Sequence, residues 1–229
     1  ISPMLARQTD KPFDDNNWIF EIKWNGYRAI SEIKANTVTI YSRNGKKLND
    51  RYPAIATALK KLNHDALIDG EIVVLDKDGK SDFKKLQEYD NGSGANLCFY
   101  AFDLLSLNGR NITHLPLLQR KELLQKLLKP QSAIKFSGHI NGQGTMFFTL
   151  SNANGHEGIM AKNAKGLYHA GKRTADWLKI KQYKTQEAII AGFTETQVGS
   201  KLINTILLAS KNNSGLKYEG IAQVAIDDE

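Results

Sequence analysis

One lysine of this sequence stands where a nucleophile could be held against a ligand. Lys23 follows an alternating apolar stretch that is typical of a half-buried strand, and Gly26 comes three residues later. A glycine lets the backbone approach a ligand closely. The amine must lose its proton before it can attack, and partial burial or a neighbouring cation favours that loss. Taken alone, the segment is equally compatible with an exposed lysine in an ordinary hairpin.

Carboxylates interrupt three other apolar segments. Asp69 and Glu71 lie two residues apart inside a hydrophobic strand, Asp103 follows an aromatic stretch, and Glu157 precedes a further strand. Such groups are costly to bury unless they meet a metal ion, a sugar hydroxyl or a cation. We therefore interpret them as candidate ligands of a metal ion or a ribose, although each also has a structural explanation.

Basic residues complete this set of chemical groups. Lys179 and Lys181 occupy alternate positions of a strand and so point to the same face. Arg43 lies in a turn-forming Ser-Arg-Asn-Gly segment, and residues 162–184 hold seven basic residues against one acid. A solvated surface explains this run as well as a phosphate-binding groove does. A nucleophile, carboxylates and phosphate-binding lysines are together what nucleotidyl transfer requires.

These segments, in this order, resemble the motif series of the covalent nucleotidyltransferases, the ligase and capping-enzyme superfamily. Within it the chain is similar to ATP-dependent DNA ligases, above all to the ligase module of bacterial ligase D, the end-joining ligase. The resemblance covers residue 1 to about residue 193, and its six motif segments are 23–28, 42–45, 69–71, 100–103, 157–162 and 179–181.

The resemblance implies a reaction in three steps. Lys23 attacks the α-phosphorus of ATP and retains AMP as a phosphoramidate, AMP then passes to a 5′-phosphate at a nick, and the adjoining 3′-hydroxyl displaces AMP to seal the strand. The adenine-binding residues come from the same resemblance. It implies that Glu21 and the backbone at Ile22 read adenine, and that the base stacks between Phe102 and Met160.

Further roles implied by the resemblance concern ribose, phosphate and metal. Arg28 and Glu71 hold the ribose and the nearby phosphate, and Glu71 and Glu157 lie near a Mg²⁺ or Mn²⁺ ion. Lys179 and Lys181 neutralise the α-phosphate as charge develops.

The resemblance also implies a substrate and partners. Arg43 would hold a phosphate of nicked or broken double-stranded DNA. Polymerase or nuclease modules are expected in a longer chain, and end-binding repair proteins are the expected partners. The implied location is the bacterial cytoplasm, in association with the nucleoid and not with a membrane.

Periodicity predicts an α+β fold with mostly antiparallel sheets. Helices are predicted to begin at Pro53, Pro116 and Thr145. Strands are predicted at 18–24, 27–33, 38–41, 67–75, 97–105, 158–162, 177–181 and 188–193. By resemblance, residues 1–184 form the adenylation domain, an ATP-grasp-like nucleotidyltransferase domain, and residues 185–229 form part of an OB-type β-barrel.

Two features depart from the family pattern. Asn25 stands where the DNA ligases have aspartate, so it could orient Lys23 through a hydrogen bond but could not stabilise a cation or a metal ion. The sequence ends at Glu229, about halfway through the family's barrel. The basic motif that closes this barrel and orients pyrophosphate is not visible, which predicts weak self-adenylylation with nucleotide binding retained.

Composition excludes several other classes of protein. The net charge of +7 is compatible with nucleic acid as a partner. Cys98 is the single cysteine, which excludes an internal disulfide and a zinc site built on cysteines. The five histidines are scattered without the spacing of metal ligands. An RNA ligase or a capping guanylyltransferase stays open, as does a catalytically impaired nick-binding module, which Asn25 favours.

Overall fold

The computed structural model describes residues 1–91, 94–129, 131–183, 187–195, 201–212 and 215–227. The chain divides into two compact units, Ile1–Gln182 and Tyr183–Glu229. The domain boundary predicted between residues 184 and 185 lies outside the described residues. Within the described ranges, no helix has the length and apolar character needed to cross a membrane.

Two β-sheets form the framework of the first unit. The five-stranded sheet has the order β1-β11-β10-β2-β9, and only its β1–β11 pair is parallel. Its strands are β1 (Leu5–Gln8), β2 (Asp14–Ile22), β9 (His139–Gln143), β10 (Gly158–Asn163) and β11 (Arg173–Lys181). The second sheet has six strands in the order β4-β3-β5-β6-β7, with β8 parallel to β6. Its strands are β3 (Tyr27–Lys34), β4 (Thr37–Ser42), β5 (Ala66–Leu75), β6 (Asn96–Leu107), β7 (Arg110–Asn111) and β8 (Ile134–Phe136).

Four helices within the described residues cover these sheets. They are α1 (Pro53–Lys60), α2 (Phe83–Gln87), α3 (Leu117–Leu127) and α4 (Gly144–Ala153). Proline suits the first turn of α1. It has no backbone N–H, and an N–H group in the first turn of a helix has no acceptor within that helix. Ile55 and Leu59 lie on the buried face of α1. Helix α3 packs on β6, while α4 packs on β2, β9 and β10.

The buried apolar residues form one large core and several smaller clusters. The large core lies where α1, α2 and α3 pack on the six-stranded sheet, with Phe99 and Leu124 fully buried within it. A smaller cluster joins the two sheets, since Phe102 of β6 packs there against Trp177 of β11 and Met4. The two sheets are therefore held together beside the residues that the motifs single out.

A buried ion pair ties α3 to β6. Arg120 donates to Asp103 Oδ1 at 2.8 Å and to Asp103 Oδ2 at 2.9 Å, and both side chains are fully buried. The same guanidinium donates to the carbonyl oxygens of Leu115 and Gly166. The interpretation of Asp103 as a metal or ribose ligand is wrong, because its carboxylate is fully engaged by Arg120.

The second unit is a three-stranded antiparallel sheet. Its strands follow the order β12 (Ile189–Glu195), β13 (Lys201–Asn212) and β14 (Gly215–Asp227). Register shifts interrupt both pairings, as is common where a sheet curls towards a barrel. Phe193, Tyr218 and Ile221 are among its exposed apolar side chains.

Candidate active site

A cavity of about 260 Å³ is lined by residues from both sheets of the first unit. Nine of the residues that the sequence predicted for the active site line it: Glu21, Ile22, Lys23, Arg28, Arg43, Glu71, Phe102, Met160 and Lys179. The remaining two, Glu157 and Lys181, are connected to the cavity by ion pairs. All the predicted site residues therefore converge on one place, although they are spread over about 160 positions of sequence.

Lys23 lies immediately after the end of β2 and takes part in a shared ion pair. Its Nζ donates to Glu157 Oε2 at 2.5 Å, and Lys181 Nζ lies 2.9 Å from Glu157 Oε1. Although partial burial acts in the opposite direction, the hydrogen bonds from the two lysines hold the pKa of Glu157 below its ordinary value. One ionised carboxylate thus holds two ammonium groups at the edge of the cavity.

Two motif glycines let backbone segments approach closely around Lys23. A Cβ atom on Gly26 would lie 2.1 Å from Ile72 O, and one on Gly158 would lie 2.1 Å from Ile180 O. Gly158 also has a φ of +143°, which favours glycine, and its carbonyl accepts a hydrogen bond from the Lys23 amide. The close approach that we expected between Gly26 and a ligand is therefore an approach to the protein's own backbone.

Arg28 is held rigidly in the cavity wall. It donates to both carboxylate oxygens of Asp69, at 2.5 and 2.6 Å, and to Met4 O at 3.3 Å. Its guanidinium lies 4.6 Å from the centre of the Phe102 ring. Asp69 also accepts a hydrogen bond from the Tyr168 hydroxyl at 2.7 Å, so it positions Arg28 and is not free to bind a metal ion.

Glu21 lines the cavity and is almost fully buried. Lys121 donates to its Oε1 at 2.7 Å, and Lys162 donates to its Oε2 at 2.9 Å. Burial raises the pKa of Glu21, but the two lysines outweigh burial and hold it below its ordinary value. Met160 neighbours Glu21 across the β2–β10 pair. A buried, ionised carboxylate thus forms part of the cavity wall.

The residues of the cavity lie in a region that matches one known protein family. Residues 3–181 match the family model described as the ATP dependent DNA ligase domain. The chain belongs to this family. The predicted family is therefore confirmed, and the matched range contains all the cavity-lining residues named above.

Individual relatives of this ligase domain agree with that assignment. The multifunctional non-homologous end joining DNA repair protein LigD of Mycobacterium tuberculosis (strain ATCC 25618 / H37Rv) is 33% identical over 223 residues, which are 96% of this chain and 29% of that protein. The SPbeta prophage-derived DNA ligase-like protein LigB of Bacillus subtilis (strain 168) is 29% identical over 200 residues, which are 86% and 73% of the two chains. The chain thus spans less than a third of the length of the mycobacterial relative.

A solved structure supports the fold of the ligase domain. The structure of mycobacterial DNA ligase D complexed with ATP and MES has a TM-score of 0.74 and 32% identity, and the similarity covers 97% of this chain and 72% of that one. The predicted fold class is confirmed: an α+β domain with antiparallel sheets, followed by part of a β-barrel.

One side of the cavity is rich in cations. Partial burial, together with the neighbouring charges of Lys181, Arg173 and Lys23, holds the pKa of Lys179 below its ordinary value. Arg173 lines the cavity as well, although the sequence showed it only as a member of a basic run. Mutual repulsion among these cations is relieved when an anion binds between them, which is the property expected of a phosphate site.

Glu71 lines the cavity on the side of Arg28 and is poised to titrate near neutrality. Burial raises its pKa to about 7, even though Arg28 and Lys23 act in the opposite direction. Within the described residues, no group of three or more histidine, cysteine or carboxylate side chains is placed to hold a metal ion. Glu71 could join an ion such as Mg²⁺, which commonly takes one or two carboxylates and completes its shell with water and substrate phosphates. Glu157 could join it only after release from Lys23 or Lys181, which hold its two oxygens in the resting site.

Replacing Glu71 with glutamine will change how the stability of this ligase domain depends on pH. A glutamate with the ordinary pKa of 4.5 loses its proton in the unfolded chain well before Glu71 does in the folded domain, where its pKa is about 7. Between these values the folded state binds more protons, so the free energy of unfolding falls as pH rises. Glu71→Gln lacks this loss.

Thermal melting in EDTA, at about pH 5 and about pH 7.5, measures the effect. We expect the difference in melting temperature, variant minus wild type, to be larger at the higher pH. A difference that stays constant between the two values contradicts the assignment of the raised pKa to Glu71.

Two tryptophans and a lysine also shape the cavity but were not predicted as site residues from the sequence. Trp177 and Trp24 line it as aromatic walls, and Lys121 holds Glu21 from behind. Trp24 stacks on Tyr100 with the ring centres 3.6 Å apart. One signal for Lys121 was present, since it lies four residues after Leu117 and three before Leu124, on the apolar face of α3.

Proposed function

We propose that this domain catalyses the transfer of AMP from ATP to Lys23 as the first step of DNA ligation. The Lys23 amine forms a bond to the α-phosphorus, the bond to the pyrophosphate oxygen breaks, and pyrophosphate leaves with its electron pair. The Lys23 ammonium group gives up one proton to become the attacking amine and a second as the N–P bond forms; Glu157, which already accepts a hydrogen bond at 2.5 Å, is placed to take one, and the other passes to solvent. The observation that carries the proposal is this lysine at a cavity that cations and carboxylates surround.

The nucleotide would be bound by residues on three sides of the cavity. Adenine would meet Glu21 and the backbone at Ile22, between Phe102 and Met160, all of which line the cavity. Its position there would bring the ribose towards the wall that holds Arg28.

Phosphate would bind on the cationic side of the cavity. Lys179 and Lys181 would neutralise the α-phosphate, and Glu71 would contact the ribose or its phosphate. Glu71 and Glu157 would hold Mg²⁺ or Mn²⁺, and such an ion supplies charge stabilisation to the phosphates. An α-phosphate near Lys181 would compete with Glu157 for that lysine, which loosens the shared ion pair of the resting site.

The later steps use DNA as the substrate. AMP would pass to the 5′-phosphate of a nick or break, and the 3′-hydroxyl would then displace it. Arg43 is exposed in the turn after β4 and also lines the cavity, so it is placed to bind a DNA phosphate beside the reacting atoms. A net charge of +7 favours association with a polyanion.

The partners and the location follow from the relatives. The mycobacterial relative is named as a multifunctional end-joining repair protein. We therefore propose polymerase or nuclease modules and end-binding repair proteins as partners of this domain. The proposed site of action is the bacterial cytoplasm, at the nucleoid.

A second candidate function is binding to nicked DNA without catalysis. Asn25 supports it, because an amide stands where the ligases carry aspartate. The Asn25 amide nitrogen of the backbone donates to Ser81 Oγ at 3.1 Å, so this segment is held in place beside Lys23. Amide and carboxylate have nearly the same shape. With the backbone held in place, asparagine therefore differs from aspartate here mainly in lacking the negative charge.

One labelling assay separates these functions. The protein is incubated with Mg²⁺ and either α-labelled ATP or α-labelled GTP, then denatured, and the covalent label is measured on the protein band. Label from ATP supports the ligase, and label from GTP supports a guanylyltransferase. Absence of label, with binding to nicked DNA retained, supports the binding module and overturns the proposed transfer.

A further inference from the structure

A buried lysine outside all the motif segments lies behind the adenine-reading wall. Lys121 projects from α3, and 1% of its side chain is exposed. Its Nζ donates to Glu21 Oε1 at 2.7 Å, to Ser137 O at 3.0 Å and to Phe102 O at 3.4 Å. Three acceptors match the three protons of an ammonium group. Lys121 is therefore fully engaged, with its charge directed at Glu21.

Glu21 divides its negative charge between Lys121 and a second lysine. Its Oε2 accepts a hydrogen bond from Lys162 at 2.9 Å. Lys162 lines the cavity, and its Nζ lies 4.3 Å from the ring centres of Phe102 and Trp177. These three charged groups carry two positive charges and one negative charge, so the two lysines compete for one carboxylate.

This competition fixes what the cavity presents to a base. Because Lys121 occupies one oxygen of Glu21, Lys162 is restricted to the other. The wall then presents an acceptor, the carboxylate, beside a donor, the ammonium group. Adenine carries an amino donor beside the N7 acceptor, whereas guanine carries the acceptors O6 and N7. A carboxylate fixed at this place would accept a hydrogen bond from the amino group of adenine and would repel O6 of guanine.

We propose that Lys121 is a positioning residue that sets the preference of the cavity for adenine over guanine. It acts through Glu21, and without it Lys162 would be free to bind both carboxylate oxygens. This inference rests on the proposed function, since it takes Glu21 as the reader of the base.

The test compares the binding of ATP and GTP to Lys121→Met and to wild type. Binding is measured in EDTA, so that no transfer occurs, through intrinsic fluorescence, because Trp24 and Trp177 line the cavity. We expect wild type to bind ATP at least about tenfold more tightly than GTP, the effect of one hydrogen bond. In Lys121→Met the ratio should fall to about threefold or less.

The loss should fall on ATP alone, whereas general damage to the cavity would weaken both nucleotides. Lys121→Arg, which keeps the charge and several donors, should retain most of the preference. Lys126→Met is the matched control, because Lys126 is an exposed lysine of the same helix. If circular dichroism shows that Lys121→Met does not fold, Lys121→Gln takes its place. Its amide can still donate to Ser137 O, and it lacks the charge.

The outcomes separate this inference from the proposed function. A folded variant that keeps the wild-type ratio overturns the role of Lys121, as does a wild type that binds both nucleotides equally. If wild type and Lys121→Met show their expected ratios but wild type takes no covalent label, the proposed transfer is overturned and the role of Lys121 is supported.

Discussion

Replacing Lys23 with alanine will abolish covalent labelling of the protein by α-labelled ATP. The proposed transfer has one nucleophile, and the alanine side chain has none, so labelling should fall by about a thousandfold or more, to the background of the assay. Glu157 would keep its contact with Lys181, so the fold and the cavity should survive. The measurement is the rate of label incorporation with Mg²⁺, followed by denaturation and electrophoresis.

Two further variants make the Lys23 experiment specific. Lys23→Arg keeps the positive charge beside Glu157 but cannot lose a proton, and it should be as inactive as Lys23→Ala while binding ATP. Lys34→Ala removes an exposed lysine at the end of β3 and should label at the wild-type rate. Label that persists in Lys23→Ala would place the nucleophile on another residue and end the proposed mechanism.

Replacing Arg120 with methionine will destabilise the first unit by about 3–5 kcal/mol. Arg120 is the partner of both oxygens of Asp103, and neither side chain is exposed. Removing the arginine leaves a buried carboxylate without its cation. Burial already raises the pKa of Asp103 and so disfavours its charged form. Urea denaturation followed by circular dichroism measures the loss of unfolding free energy.

The controls for Arg120 test the cause of this loss. Lys126→Met changes an exposed residue of the same helix and should alter stability by no more than about 0.5 kcal/mol. The double variant Arg120→Met with Asp103→Leu removes both charges and should recover most of the loss, because apolar replacements of a buried pair are often well tolerated. If Arg120→Met is as stable as Lys126→Met, the buried ion pair does not contribute to the free energy of unfolding, which contradicts the prediction.

The residues of the cavity could be predicted from sequence where a residue type is unusual in its local setting and has few chemical roles there. A lysine before a glycine, carboxylates within apolar strands and paired lysines on one face are unusual enough to identify in order. Gly26 and Gly158 show why these motifs can be identified from sequence. A Cβ atom at either position would lie 2.1 Å from a backbone oxygen, so only glycine fits there.

The partners of the buried charges could not be predicted in the same way. The sequence shows that burying Asp69 or Asp103 is costly but does not show which cation meets the cost. Arg28 lies 41 residues from Asp69, and Lys121 lies 100 residues from Glu21. These distances along the chain are bridged by tertiary packing, to which local periodicity gives no access.

The strands of the first unit that were missed are short or polar. β9, with the sequence His-Ile-Asn-Gly-Gln, lacks apolar alternation, and it forms because the edge of β2 offers unpaired hydrogen-bonding groups. β1 has four residues and pairs in parallel with β11, a contact far away in sequence. Partners on a neighbouring strand created these elements, with little help from intrinsic propensity.

The segment before the first motif also forms part of the cavity wall. Leu5 and Ala6 line it, Met4 O accepts from Arg28, and the Tyr168 hydroxyl accepts from the Met4 amide. A shortened form of the domain that starts at β2 would retain every motif residue and still open the cavity to water on one side. A domain whose boundaries are chosen from the motifs alone would therefore keep every motif residue but have a cavity that is open to water.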